Sequence, residues 1–251
     1  KYLGSGFLGQ YIIQNLFLTI SFVLNFGIYR LIIINNNTKN KVINTLRNTF
    51  YLQINLILSI LASLFIFWFI YELNKIKDIE TFDLILNKYL FIGLIVCSIY
   101  FSIESIQKNN QKFFHLAFFN LIFNGVSFAA PAFYLLLKDI FTSNSFYVLE
   151  YPEELIKITV IIKIISLILF YFISIYQNTI LNIFKKIRLT KFEKNDLNEI
   201  FYATNQSFIF FLNNILDKFF IKFSLGNAFL ATYSVPQQIA GKSTILITAI
   251  S

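Results

Sequence analysis

Apolar residues along this chain do not alternate with polar ones in the rhythm of a strand or a surface helix; they come in blocks of about twenty or more, separated by short polar connections. The blocks lie at roughly 7–32, 49–71, 86–106, 113–137, 157–181, 200–221 and 229–251. Each has the length of a helix that crosses a bilayer, since about 30 Å of hydrocarbon needs about 20 residues at 1.5 Å rise. The first block is uncharged from Tyr2 to Tyr29 and the second from Asn48 to Tyr71. The third is uncharged only from Tyr89 to Ile103, and the sixth carries Asp217, Lys218 and Lys222 near its end. The pattern predicts an all-α, polytopic transmembrane bundle with seven spans.

Charge orients the bundle. Arg30, Lys39, Lys41, Arg47, Lys108, Lys112, Lys185, Lys186, Arg188, Lys191 and Lys194 fall on one set of alternate connections, whereas the other set holds Lys75, Lys77, Lys88, Lys138 and Lys157 together with eight carboxylates from Glu72 to Glu154. The more basic side is expected to be cytoplasmic, which puts Lys1 outside and runs the first helix inward. A chain that starts at Lys1 without an initiator and stops at Ser251 inside an apolar run is expected to be a piece of a longer protein, with one helix before Lys1.

Composition sharpens this picture by exclusion. With 57% hydrophobic and 14% charged residues, the chain has too much apolar surface for a water-soluble domain, where about a quarter of residues carry charge. The net charge of +8 sits mostly in connections, so it points to anionic lipid head groups and not to nucleic acid. One cysteine, Cys97, and one histidine, His115, leave no disulfide framework and no His/Cys metal cluster. Cys97 reads as a small lipid- or core-facing residue, and His115 as interfacial or capping. Ala240-Gly-Lys-Ser-Thr244 has no upstream glycine at nucleotide-loop spacing and lies in an apolar run, so no nucleotide or other cofactor is expected. No cleavable signal peptide is present in these residues.

The chain also repeats itself. Leu3-Gly-Ser-Gly-Phe-Leu-Gly-Gln-Tyr11 returns as Leu225-Gly-Asn-Ala-Phe-Leu-Ala-Thr-Tyr233, identical at five of nine positions and each time leading into an apolar block. Six spans separate the copies, and an even number gives both the same orientation. That is the pattern of a transporter with two parallel lobes. The basic amphipathic stretch 182–199 falls where the lobes would join and reads as an interfacial linker, or equally as a solvated loop that sets topology. The expected division is 1–181 for the first lobe, 182–199 for the linker and 200–251 for the start of the second lobe.

Ionisable residues inside spans are costly, so each is a functional candidate. Lys163, in Ile161-Ile-Lys-Ile-Ile165, either faces a cavity as a cation for substrate or snorkels outward with Lys157. Asn214, Lys218 and Lys222 share one helix face beside Asp217, as an anion-binding wall or an interfacial anchor. Arg30 closes the first span on the cytoplasmic side, where it anchors topology or grips a phosphate in bidentate fashion. Glu104 and Asp217 are ion-coupling candidates. Gly125 and Pro131 in the fourth span mark a hinge, because proline removes a backbone donor and kinks a helix.

These residues resemble a known family. Lys1-Tyr-Leu-Gly-Ser-Gly-Phe-Leu-Gly-Gln-Tyr11 followed by a helix ending Phe26-Gly-Ile-Tyr-Arg30 is similar to the loop and second helix of the O-antigen and polysaccharide flippases, the Wzx-type branch of the multidrug/oligosaccharidyl-lipid/polysaccharide exporters. Asp217-Lys-Phe-Phe-Ile-Lys-Phe-Ser-Leu-Gly226 and Phe229-Leu-Ala-Thr-Tyr-Ser234 resemble that family's seventh helix, outer turn and eighth helix. The resemblance implies two six-helix lobes, about twelve helices in all, of which this chain would hold helices two to eight. It implies export of undecaprenyl-pyrophosphate-linked oligosaccharide across the bacterial inner membrane by alternating access coupled to an ion, and no enzymatic activity. The implied partners are the lipid-linked substrate, membrane lipids, a polysaccharide polymerase and a chain-length regulator. Two alternatives stay open: a multidrug antiporter of the same superfamily, which should prefer carboxylates in its cavity, and a membrane-integral polymerase or acyltransferase, which would need placed acids and bases in its outer loops.

Overall fold

In the computed structural model of the chain, residues 5–35, 41–77, 87–110, 113–141, 152–180, 194–234 and 236 are described, and apart from short turns they are helical. The helices are α1 (Ser5–Leu18), α2 (Ser21–Leu24), α3 (Ile28–Asn35), α4 (Lys41–Lys77), α5 (Lys88–Asn109), α6 (Phe113–Asn120), α7 (Ser127–Phe141), α8 (Pro152–Tyr176) and α9 (Lys194–Leu225). A π-helical turn, Leu121–Val126, joins α6 to α7, and residues 227–234 form a last helix, α10. The all-helical expectation holds among the described residues.

Among the described residues the candidate spans number four or five. Four helical stretches are long and apolar enough to cross a membrane: Val42–Glu72, Lys88–Asn109, Phe114–Tyr134 and Glu153–Tyr176. A fifth qualifies only as a bent pair, Leu8–Leu24 with Ile28–Ile34, at 47°. The sixth expected segment is helical as α9 but too polar for the same criterion, because Thr204, Asn205, Gln206, Asn213 and Asn214 interrupt its apolar residues. Most of the seventh segment lies outside the described residues, as do Ala240–Thr244 and residues 182–193 of the expected linker; 194–199 are the first turns of α9.

The bend in the first span has a local cause that a run of uncharged letters hides. Asn25 ends α2, Phe26 and Gly27 take positive φ values of 49° and 67°, and Asn25 Oδ1 then accepts the Tyr29 backbone N–H at 2.9 Å to restart the helix. Non-helical backbone at membrane depth survives only where protein covers it. Here the cover is α5 and α4: Asn25 Nδ2 donates to the Ser98 carbonyl (3.0 Å) and Ser102 Oγ (2.8 Å), and Asn55 Nδ2 of α4 reaches the same two acceptors at 3.0 Å each. Ser98 Oγ returns a bond to Asn55 Oδ1 at 3.2 Å, so the knot is closed. All four side chains are fully buried.

That knot makes α5 the axis of the bundle. Gly93, Ser98, Ser102 and Ser105 are small, which lets neighbouring helices approach closely where lipid offers no hydrophobic drive to hold them. Leu90, Leu94, Tyr100, Ile103 and Ile106 are wholly buried, with α2, α3, α4 and α8 around them. At the far end of α5, Gln107 Nε2 donates to Ser174 Oγ (2.7 Å) and ties it to α8. By contrast α4 shows Ile57, Leu61, Leu64, Phe65, Trp68 and Phe69 to the outside, a lipid-facing flank.

α9 runs antiparallel to the bent rod, packed on α3 and α2. As numbers fall along the rod they rise along α9: Arg30 meets Glu199, Gly27 lies against Ile200 and Ala203, Phe22 packs on Phe210 with ring centres 5.9 Å apart, and Ile12 and Ile13 cluster with Ile221. After the turn at Gly226 (φ 86°), α10 folds back beside α1. Gly9 sits so close to Asn227 that a Cβ built on it would overlap the Asn227 carbonyl, and three to four residues further on Ile12 and Ile13 share a cluster with Leu230 and Ala231. The described parts of the two copies of the repeated motif therefore touch and run in the same direction.

Candidate functional site

The polar side chains of greatest interest fall into three groups along this frame. The first centres on the π-helical turn. There Ser127 N–H donates to the Ile122 carbonyl, one residue further back than in an α-helix. The shift leaves the Phe123 carbonyl to side-chain donors: Ser127 Oγ, in a very short bond, and Lys163 Nζ of α8 at 2.9 Å. The Lys163 ammonium also stands 4.1 Å from the centre of the Phe123 ring, whose other neighbour is Tyr100, stacked at 3.6 Å. Lys163 is 8% exposed, so it does not snorkel to the surface; it holds the turn from inside the bundle. Gly125 lies within the π-turn, with only the Leu121 side chain near its missing Cβ, and buried Pro131 lies one turn into α7. The rod continues through both without a sharp break, and the irregularity they accompany is a π-turn.

The same turn reaches Glu104. Tyr100 Oη donates to Asn120 Oδ1 at 2.7 Å, Asn120 Nδ2 donates to Glu104 Oε1 at 3.3 Å, and Lys108 pairs with that oxygen at 2.8 Å. Glu104 is thus a mostly buried carboxylate, 13% exposed, bonded to the residue just before the π-turn. His115 is half-buried, edge-on to Phe114, outside this network. Cys97 is buried in the core.

The second group lies where α3 meets α9. Arg30 Nε donates to Glu199 Oε2 at 2.8 Å, and the guanidinium lies over the Tyr202 ring at 5.0 Å. About a third of both Arg30 and Glu199 is exposed, so this cation is reachable, unlike Lys163. The third group sits at the other end of α9. Asp217 Oδ1 caps the Lys218 backbone N–H at 2.8 Å and stands 3.7 Å from Lys218 Nζ, while Asp217 Oδ2 accepts from Tyr233 of α10 at 2.9 Å. Lys218 is 7% exposed, and Lys222 is half-buried one turn on. Asp217 links α9 to α10 in this arrangement.

The structure therefore brings Glu104 and Lys163 into one network and keeps Arg30 and the Asp217–Lys218 pair at opposite ends of a second helix seam. Sequence reading missed the Phe123 carbonyl, Tyr100, Asn120, Glu199, Tyr202 and Tyr233. Only Glu199 and Tyr202 had a local signal, an acid and an aromatic spaced at i, i+3 on a helix beside a basic connection. No group of three or more His, Cys, Asp or Glu that could hold a metal occurs among the described residues. Comparison with protein-family models, with curated proteins and with solved structures yields no match to this chain.

Proposed function

We propose that this chain belongs to a transporter that carries undecaprenyl-pyrophosphate-linked oligosaccharide from the cytoplasmic to the periplasmic leaflet of a bacterial inner membrane by alternating access. The observation that carries the reading is the side-by-side, same-direction contact of the two motif copies at Gly9 and Asn227, which supports two parallel lobes meeting at one face of the membrane. A pyrophosphate cannot cross hydrocarbon unaided, and the chain supplies cations at membrane depth. Arg30 is the exposed one, and a guanidinium suits a phosphate in bidentate fashion. Lys163 is held on a backbone carbonyl that a return of the π-turn to α-helix would reclaim, which would release that hydrogen bond of the ammonium. Glu104, bonded through Asn120 to the start of that turn, is the coupling carboxylate in this reading.

Complementation of a flippase-deficient strain, scored by surface polysaccharide and by membrane abundance, tests it. Lys163→Ala should cut export strongly at normal abundance, and Lys163→Glu should be worse, since it would repel an anion. Lys157→Ala should export normally, because Lys157 is exposed and only leans on Tyr89 at 5.8 Å. Full export by both Lys163 variants would remove the site from this reading, and failure of the parent protein to complement would remove the function.

A further inference from the structure

α9 has three faces, and one of them has no reason to exist in a helix that only packs and meets lipid. At 3.6 residues per turn, Ala203 and Ser207 fall on one side and are buried, toward α2 and α3, and buried Lys218 falls on the same side further along. Phe201 and Phe208 form a second, exposed side suited to lipid. Between them on the open arc lie Tyr202, Asn205, Gln206, Ile209 and Asn213, every one exposed. The antiparallel register with the bent rod, from Arg30 against Glu199 through Gly27 against Ala203 to Phe22 against Phe210, places this arc at the depth where the first span crosses the membrane. Three unburied amides in hydrocarbon would each cost kilocalories unless hydrogen-bonded, so the arc faces water or a hydrogen-bonding occupant.

We propose that this stripe is the binding surface for the uncharged sugar portion of the lipid-linked substrate; the inference rests on the transport reading above. Three features of the stripe favour a glycan. It carries no charge from Tyr202 to Asn213, a length of about 16 Å at 1.5 Å per residue. Its amides each offer a donor and an acceptor, as sugar hydroxyls do, and the Tyr202 and Ile209 side chains present flat or apolar area of the kind that covers a sugar's C–H face. Arg30 stands over Tyr202 at the stripe's inner end, so a pyrophosphate held there would have its sugars start along the stripe.

The test uses the purified full protein in lipid nanodiscs, with two probes: undecaprenyl pyrophosphate, and undecaprenyl pyrophosphate bearing the host's oligosaccharide unit. In a Cys97→Ser background, Asn205→Cys, Gln206→Cys and Asn213→Cys should react with a membrane-impermeant maleimide, and Phe208→Cys should not. The sugar-bearing lipid should slow labelling at the three amide positions, and the bare lipid should not. Gln206→Leu combined with Asn213→Leu should weaken the sugar-bearing lipid about tenfold or more, as loss of one or two hydrogen bonds predicts, and leave bare-lipid affinity unchanged. The unchanged value also certifies the fold. Unreactive amide positions would mean that protein covers the stripe, and would overturn the proposal. Sugar-bearing lipid that binds without protecting these positions would overturn the proposal and spare the transport reading. If neither lipid binds, both fall.

Discussion

The seam around α5 and the seam between α9 and the bent rod both bury polar groups in a membrane-sized bundle, and they do it in opposite ways. Around α5 the donors of the Asn25 and Asn55 side-chain amides land on Ser98 or Ser102, short small side chains bring the helices together, and that knot contains no charged group. Along α9 there are an ion pair a third exposed, one glycine pressed on Ile200 and Ala203, and an open stripe of amides. A closed knot fixes one arrangement of helices. A seam of that second kind leaves polar groups at membrane depth whose satisfaction depends on what else is present, which is what a moving or loading surface requires.

The comparison breaks first at the glycines. At Gly27 a Cβ would stand 2.6 Å from Ala203 Cβ and 2.9 Å from the Ile200 carbonyl, on a backbone already at φ 67°. Gly27→Val should therefore cost about 3 kcal/mol or more. Gly226 has a similar φ of 86° but nothing within 4 Å, so Gly226→Ala should cost only about 1–2 kcal/mol, the backbone strain alone. Cys97 is the chain's sole cysteine and 4% exposed, which makes thiol reactivity on heating a direct readout of unfolding in detergent. Equal losses at the two glycines would mean that the α9 seam does not press on Gly27.

Next comes the knot. Asn55→Leu removes two donors and strands Ser98 Oγ, and should cost about 1–2 kcal/mol by the same assay, given that interhelical hydrogen bonds in membranes average about 0.6 kcal/mol each. Glu199→Gln, at a pair about a third exposed, should cost about 1 kcal/mol at most. If it costs more than Asn55→Leu, the contrast between the two seams is wrong. The smallest effect belongs to Glu72 and Lys75 at the end of α4. The Glu72 carboxylate, through its hydrogen bond, raises the Lys75 pKa above its ordinary value. A raised lysine stabilises below the unfolded pKa and loses that contribution as pH rises through the folded one. Lys75 is fully exposed, so Glu72→Gln should leave the neutral-pH melting temperature unmoved.

The sequence made the helical class and five of the apolar segments plain, because a run of about twenty apolar residues has few other uses. It hid the break at Asn25–Gly27, since an uncharged polar residue satisfied by Ser98 and Ser102 looks, in a line of letters, like any other mid-span residue. It hid the polarity of α9 as well, where Phe and Ile residues masked a line of amides that only helical projection collects. Arg30, Glu104 and Lys163 stood out because charge in an apolar run is rare. Their partners did not: Glu199 lies 169 residues from Arg30, and the Phe123 carbonyl, 40 residues from Lys163, belongs to a backbone irregularity that no side chain announces.

The closure of the knot on α5 has a consequence for how the chain enters the membrane. α5 carries Ser98, Ser102, Ser105 and Gln107 and is the most buried of the spans, whereas α4 is the most lipid-exposed. On leaving the translocation channel, α4 can partition into lipid on its own account, with Asn55 its main polar burden. α5 cannot do so as cheaply until Asn55 and the earlier Asn25 are there to receive its serines. Ordered biogenesis is the expected consequence, with α5 leaving the channel by docking against the bent first helix and α4.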